Sequence, residues 1–123
     1  MIWRWLLWFA YAAAWTIALV VPVPDVQDLP FGEELFSFRV LFAKSVHVSA
    51  YAVFAILTGL LPVAWRWRLP LLFLLLLHGA GTEWVQENFT TSRTGSLSDV
   101  LWDHLGVAVG CCVSWKWWTR DRA

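Results

Sequence analysis

Long apolar runs constrain this chain more than any other feature. Residues 3 to 21, WRWLLWFAYAAAWTIALVV, carry a single charge, Arg4, near their start. At 1.5 Å per residue, a helix over such a run reaches roughly 28 Å, close to the thickness of a hydrocarbon core. A cleaved signal peptide competes with this reading. It is weaker, because the run is longer than a typical signal core and only Arg4 sits at its head. Pro22 and Pro24 end the run, since proline has no N–H to give a helix interior. Residues 40 to 61, VLFAKSVHVSAYAVFAILTGLL, form a second run, closed by Pro62. Residues 70 to 88 form a third, with Pro70 at a favoured first-turn position; it opens as nearly pure leucine and ends in GAGTEWVQEN. Residues 99 to 115 form a fourth, with Ser98 placed to cap it. Between the first two lies an acidic connection, residues 22 to 39, with Asp25, Asp28, Glu33 and Glu34 against Arg39. Its FGEELFSF portion reads as a short amphipathic turn at an interface. The expected fold is all-α, one domain over residues 1–123, a polytopic four-transmembrane-helix bundle.

Composition agrees. The chain is 59% hydrophobic and 15% charged, too greasy for an ordinary soluble domain and too poor in charge to be disordered. Nine basic and nine acidic residues cancel, so no basic field recommends a nucleic-acid partner. Eleven tryptophans exceed what a core needs, and tryptophan favours membrane interfaces. Cys111 and Cys112 are neighbours that do not face each other on a helix, so they read as packing residues rather than a disulfide.

Orientation follows from charge. Arg4, Arg66, Arg68, Lys116, Arg120 and Arg122 flank one side of the four runs, against Arg39, Arg93 and Lys44 on the other. The positive-inside rule then places both termini and the 63–69 segment in the cytoplasm. Trp3, Trp5, Trp8, Trp65, Trp67, Trp115, Trp117 and Trp118 cluster with those cations as one interface belt.

The embedded polar residues gather at the opposite end. Lys44, His47 and Tyr51 share one face of the second run, which continues into Ala55 and Gly59. Glu83 and Gln86 share a face of the third, while Glu87 falls at the water boundary. Arg93 lies in the following loop. Asp99, Asp103, Gly106 and Gly110 stand at i, i+4, i+7 and i+11, one face of the fourth run, where the glycines admit a close neighbour. Charge near hydrocarbon is expensive, and converging titratable groups mark a site. Lys44 and Arg93 are suited to hold an anionic group, His47 and Glu83 to move protons, and Asp99 and Asp103 to orient the cations, with Asp103 paired to Lys44 or Arg93.

Taken together and in order, Lys44-x-x-His47-x-x-x-Tyr51, Glu83-x-x-Gln86, Arg93, Asp99 and Asp103-x-x-Gly106-x-x-x-Gly110 resemble the VanZ-like family. These are small bacterial membrane proteins named after a product of glycopeptide-resistance clusters. The resemblance covers about residues 40 to 115. It implies a polytopic protein of the bacterial plasma membrane, linked to teicoplanin resistance or to the cell envelope. Asp103 departs from the pattern, which is expected to have asparagine there.

Two function classes fit the cluster. One is an envelope enzyme acting at the outer leaflet on a lipid-linked or peptidoglycan-precursor substrate, with His47, Glu83 and Asp99 as catalytic candidates and Lys44, Tyr51, Gln86, Arg93 and Asp103 as binding candidates. The other is a binding or accessory protein whose polar cluster is an ion network or a receptor for a headgroup or antibiotic. A small transporter is disfavoured, because the inner half shows no embedded charge. No P-loop, dinucleotide or serine-elbow motif is present, and no cofactor is expected. His78 stands about 140° around a helix from Glu83, and His104 about 100° from Asp103, so neither reads as a metal ligand. A metal site would have to draw His47, Glu83 and Asp103 from three helices; without a local ligand motif, none is expected.

Overall fold

A computed structural model of the chain describes residues 1–21, 33–89 and 97–120, with the side chains of residues 33–39 outside the description. The described residues are helical: α1 (Ile2–Val20), α2 (Glu33–Gly59), a 3₁₀ turn (Trp65–Trp67), α3 (Arg68–Phe89), α4 (Leu97–Val113) and α5 (Trp115–Trp118). All four expected apolar runs are helices. The acidic connection is shorter than expected, because residues 33–39 belong to α2 rather than to a loop. No proline or glycine interrupts residues 33–58, so nothing in the backbone stops the helix earlier. Ser98 lies inside the first turn of α4 rather than at its cap.

Two helical segments are long and apolar enough to cross a membrane, Ile2–Val20 and Val40–Gly59, with mean hydropathy 1.2 and 1.8. The other two fall short by that measure for separate reasons. α4 has 17 residues, and α3 spends its C-terminal half on His78, Glu83, Gln86, Glu87 and Asn88.

The tightest packing is between α2 and α4, which run parallel. Lys44 meets Asp99, His47 meets Asp103, Val48 and Tyr51 lie against Gly106, and Ala52 and Ala55 against Gly110. This is the face along which Lys44, His47, Tyr51, Ala55 and Gly59 were aligned in sequence. A Cβ on Gly106 would stand 2.5 Å from the Val48 carbonyl oxygen and 2.9 Å from Tyr51 Cβ. At Gly110 it would meet the Ala52 carbonyl and stand 2.7 Å from Ala55 Cβ. Only glycine allows the two backbones this approach.

α1 and α3 each run antiparallel to α2 and cover its remaining surface. Trp8 donates its indole N–H to Thr58 Oγ1 at 2.8 Å, and the Tyr11 hydroxyl donates to the Ala50 carbonyl at 2.7 Å. The C-terminus of α2 leaves carbonyls without helical partners. Arg68, 2% exposed, donates to those of Thr58, Gly59 and Leu61 at 3.1, 3.0 and 3.3 Å, and Arg4 donates to Leu60 at 2.9 Å. Arg68 is therefore a buried cap and not a loop charge, a correction to its reading as a flanking arginine. The tryptophan belt divides in the same way. Trp3, Trp65, Trp67, Trp115 and Trp117 are exposed, whereas Trp8 and Trp118 are core residues, the latter donating to the Ala55 carbonyl at 3.2 Å.

Beside an apolar core that includes Tyr51, Phe54, Leu61, Leu75 and Val107, the interior holds polar groups, and much of the outside is apolar. Thr58, Thr82, Glu83, Gln86, Asp103 and Ser114 are buried, while Leu6, Phe9, Leu41, Phe73, Leu101 and Val113 are more than half exposed. Of the two cysteines, Cys111 packs partly on the core, Cys112 is exposed, and both are free.

The glycines give a paired prediction. Gly110→Val drives new atoms into the α2 backbone and should destabilise the bundle by about 1–3 kcal/mol or more. Gly81→Ala enters open space on α3 and should stabilise by about 0.5–1 kcal/mol through backbone entropy. Unfolding midpoints in detergent should therefore move in opposite directions. A neutral Gly110→Val would refute the close α2–α4 contact.

Candidate functional site

The site forms where α2, α3 and α4 meet at the end opposite Arg68. On α2, Lys44, His47 and Tyr51 occupy successive turns of the face packed on α4. His47 Nδ1 lies 2.7 Å from Asp103 Oδ1, and Asp103 is fully buried. A carboxylate only accepts, so the imidazole donates from Nδ1. This corrects the expected pairing of Asp103 with Lys44 or Arg93. Asp103 and His47 are both one helical turn from the Gly106 contact, and the parallel register brings them together.

Lys44 pairs instead with Asp99, Nζ to Oδ1 at 3.4 Å, and donates to Ser98 Oγ at 2.8 Å. Both partners of the ion pair remain about a quarter exposed, so the pair adds little to stability. Lys44 also stands 5.7 Å from the Trp102 ring centroid.

α3 contributes Glu83 and Gln86, 4% and 3% exposed. The Gln86 amide donates to the Leu19 carbonyl at 2.6 Å and so ties α3 to the end of α1. Glu87 is exposed, as its position at the water boundary implied. Glu83 faces His47 and Asp103. The three side chains each offer one ligand-type atom, and those atoms lie within 4.8 Å of one another. Arg93 lies outside the described residues.

Tyr51 turns toward α3 and α1. Its hydroxyl is 2.9 Å from His78 Nδ1 and 3.4 Å from Thr82 Oγ1. His78 Nε2 is 2.7 Å from Thr16 Oγ1, whose own proton goes to the Ala12 carbonyl at 2.7 Å. Donor counting fixes the first contact. The Thr16 oxygen accepts from His78 Nε2–H, and the Tyr51 hydroxyl stands between His78 Nδ1 and Thr82 Oγ1. Trp15 covers both groups, edge-on to His47 at 5.7 Å and to Tyr51 at 6.2 Å between ring centroids. Sequence reading missed Thr16, Trp15, Thr82 and this role of His78. The available signal was the pair of lone hydroxyls, Thr16 and Thr82, inside apolar helices. His104 bonds the Leu76 carbonyl at 3.2 Å and, like His78, stands apart from the trio.

No family model matches the chain, and no curated protein or solved structure matches it either.

The tyrosine contact can be tested directly. Tyr51→Phe removes the hydroxyl that bonds His78 Nδ1 and should cost about 0.6 kcal/mol, and up to about 1.7, as interhelical hydrogen bonds in membranes do. Unfolding of the variant in detergent at unchanged helix content measures this. An unchanged midpoint would rule out the Tyr51–His78 bond.

Proposed function

We propose that the chain is an integral membrane protein of the VanZ-like kind. It crosses a bacterial plasma membrane four times, with both termini in the cytoplasm. Its polar site opens to the extracytoplasmic side and receives the anionic headgroup of a lipid-linked or peptidoglycan-precursor molecule. The observation that carries the membrane reading is the apolar exterior around an interior that also holds buried polar groups. Acids, amides and hydroxyls point inward, while leucines and phenylalanines cover the outside. In water this arrangement would waste the hydrophobic effect; in lipid it is the favourable one. The first and second helices meet the length and hydropathy of a span, and α3 and α4 complete the bundle around them. The end holding Arg4, Arg66, Arg68 and Lys116 is then the cytoplasmic end.

At the other end, Lys44 is the described cation nearest the mouth, and Arg93 joins it by its position in sequence. Both suit an anionic group. His47, held by Asp103, and Glu83 line the space below. This arrangement supports a reading in which the site acts on a bound headgroup.

A second reading rests on a different observation. Lys44–Asp99, His47–Asp103 and Gln86–Leu19 each join two helices, so the cluster also fits an ion network that fixes the bundle of an accessory or receptor protein. Stability separates the two. The site reading expects Glu83→Gln and His47→Ala, at equal expression, to remove the protein's effect on teicoplanin tolerance in a bacterial host, and Glu83→Gln, which keeps the side chain's shape, to do so while the melting temperature in detergent holds. Full retention of the effect would refute it. A melting temperature that falls along with the effect would favour the network.

Topology is checked independently. A reporter active only outside the cytoplasm, fused within residues 89–98, should be active. Silence there would reverse the orientation.

A further inference from the structure

His47, Glu83 and Asp103 come from α2, α3 and α4, far apart in sequence, yet their ligand atoms gather within 4.8 Å. We propose that these three side chains bind a single divalent metal ion, with Zn²⁺ the best match. This inference rests on the headgroup reading above and deepens it, since a three-ligand ion keeps a coordination position open for an anionic oxygen.

The ligand chemistry fits. One imidazole nitrogen and two carboxylate oxygens suit zinc and its first-row neighbours. Tetrahedral ligands at about 2.1 Å from zinc stand about 3.4 Å apart, so the trio has at most about 1.4 Å to close. Side-chain rotation covers that distance without moving a helix.

A separate observation points the same way. Asp103 is fully buried, and its Oδ2 accepts no hydrogen bond from the described residues. A buried carboxylate oxygen is costly unless something positive reaches it. That oxygen faces α3. A Cβ added to Gly79 would stand 3.4 Å from it, and Glu83 lies one turn further along the same face. Gly79 thus keeps α3 close enough for its carboxylate to share an ion with Asp103. His47 Nδ1 and Asp103 Oδ1, 2.7 Å apart, already bring an imidazole nitrogen and a carboxylate oxygen side by side, and an ion between them would take the place of the shared proton.

The test uses the full chain, purified in detergent, stripped with EDTA and dialysed against Zn²⁺, with bound metal counted by mass spectrometry. One zinc per chain is expected. His47→Ala and Glu83→Gln should each weaken binding by at least about tenfold, whereas Glu87→Gln, an exposed acid one turn from Glu83, should bind as the unsubstituted protein does. Equal loss in Glu87→Gln, or zinc retained equally by His47→Ala, would overturn the site. Should the variants fail to fold, Co²⁺ added to the unsubstituted protein should give an EDTA-reversible visible absorption band. Its absence would also overturn the proposal. The two readings fail separately. Zinc lost from variants that keep the cellular effect would leave the metal site standing and sink the headgroup reading. A cellular effect that depends on His47 and Glu83, in a protein that takes up no zinc, would do the reverse.

Discussion

Everything at the site depends on how closely α4 approaches α2. Gly106 and Gly110 remove the side chains that would hold the two backbones apart, and the small residues Ala52 and Ala55 receive them. The contact works as a register as well as a seam. Once Gly106 rests on Val48 and Tyr51, the turn before it brings Asp103 to His47, and the turn before that brings Asp99 to Lys44. A larger residue at either glycine would separate the axes, and a 2.7 Å hydrogen bond cannot survive such a displacement.

A polar interior needs more than proximity, because each buried donor or acceptor is costly when left alone. The chain answers with a continuous set of partners. Thr16 gives its proton to its own helix and takes one from His78, His78 bonds the Tyr51 hydroxyl, and Thr82 returns its proton to the α3 backbone. Trp15 seals the group from α1. Tyr51 thus belongs to two systems. Its Cβ packs against Gly106 in the α2–α4 seam, while its ring and hydroxyl reach the α1–α3 side. It is the residue through which the seam and the covering helices are joined.

Periodicity made much of this legible. The stripe from Lys44 to Gly59 and the stripe from Asp99 to Gly110 could be read from spacing, and they do face each other. Spacing alone does not say which carboxylate meets which base. Asp103 takes His47 and Asp99 takes Lys44 because α2 and α4 run parallel at one fixed offset, a tertiary fact. Two tryptophans and an arginine were misread for a similar reason. Trp8, Arg68 and Trp118 look like neighbours of an interface in composition, but the end of α2 and its neighbouring hydroxyl supply acceptors that draw them inward. His78 was correctly separated from Glu83 by angle. Its real partners, Thr16 and Tyr51, lie on other helices, so no spacing within α3 points to them.

The two ends of the bundle use charge differently, and the difference bears on what the acids are for. At the α5 end, Arg68 and Arg4 meet backbone carbonyls left over at the end of α2; their position follows from the needs of the helix. At the other end, Gln86 does the same for α1 through the Leu19 carbonyl, so it too is explained by the backbone. Lys44 and Asp99 sit near the mouth, where partial exposure makes their cost small. His47, Glu83 and Asp103 are left. None of the bonds described for His47 and Asp103 goes to a helix end, and a packed apolar trio in the same place would spare the bundle the burial of two carboxylates. Scaffold requirements therefore account for the rim and for both helix ends, but not for the buried His47–Asp103 pair, whose bond meets neither.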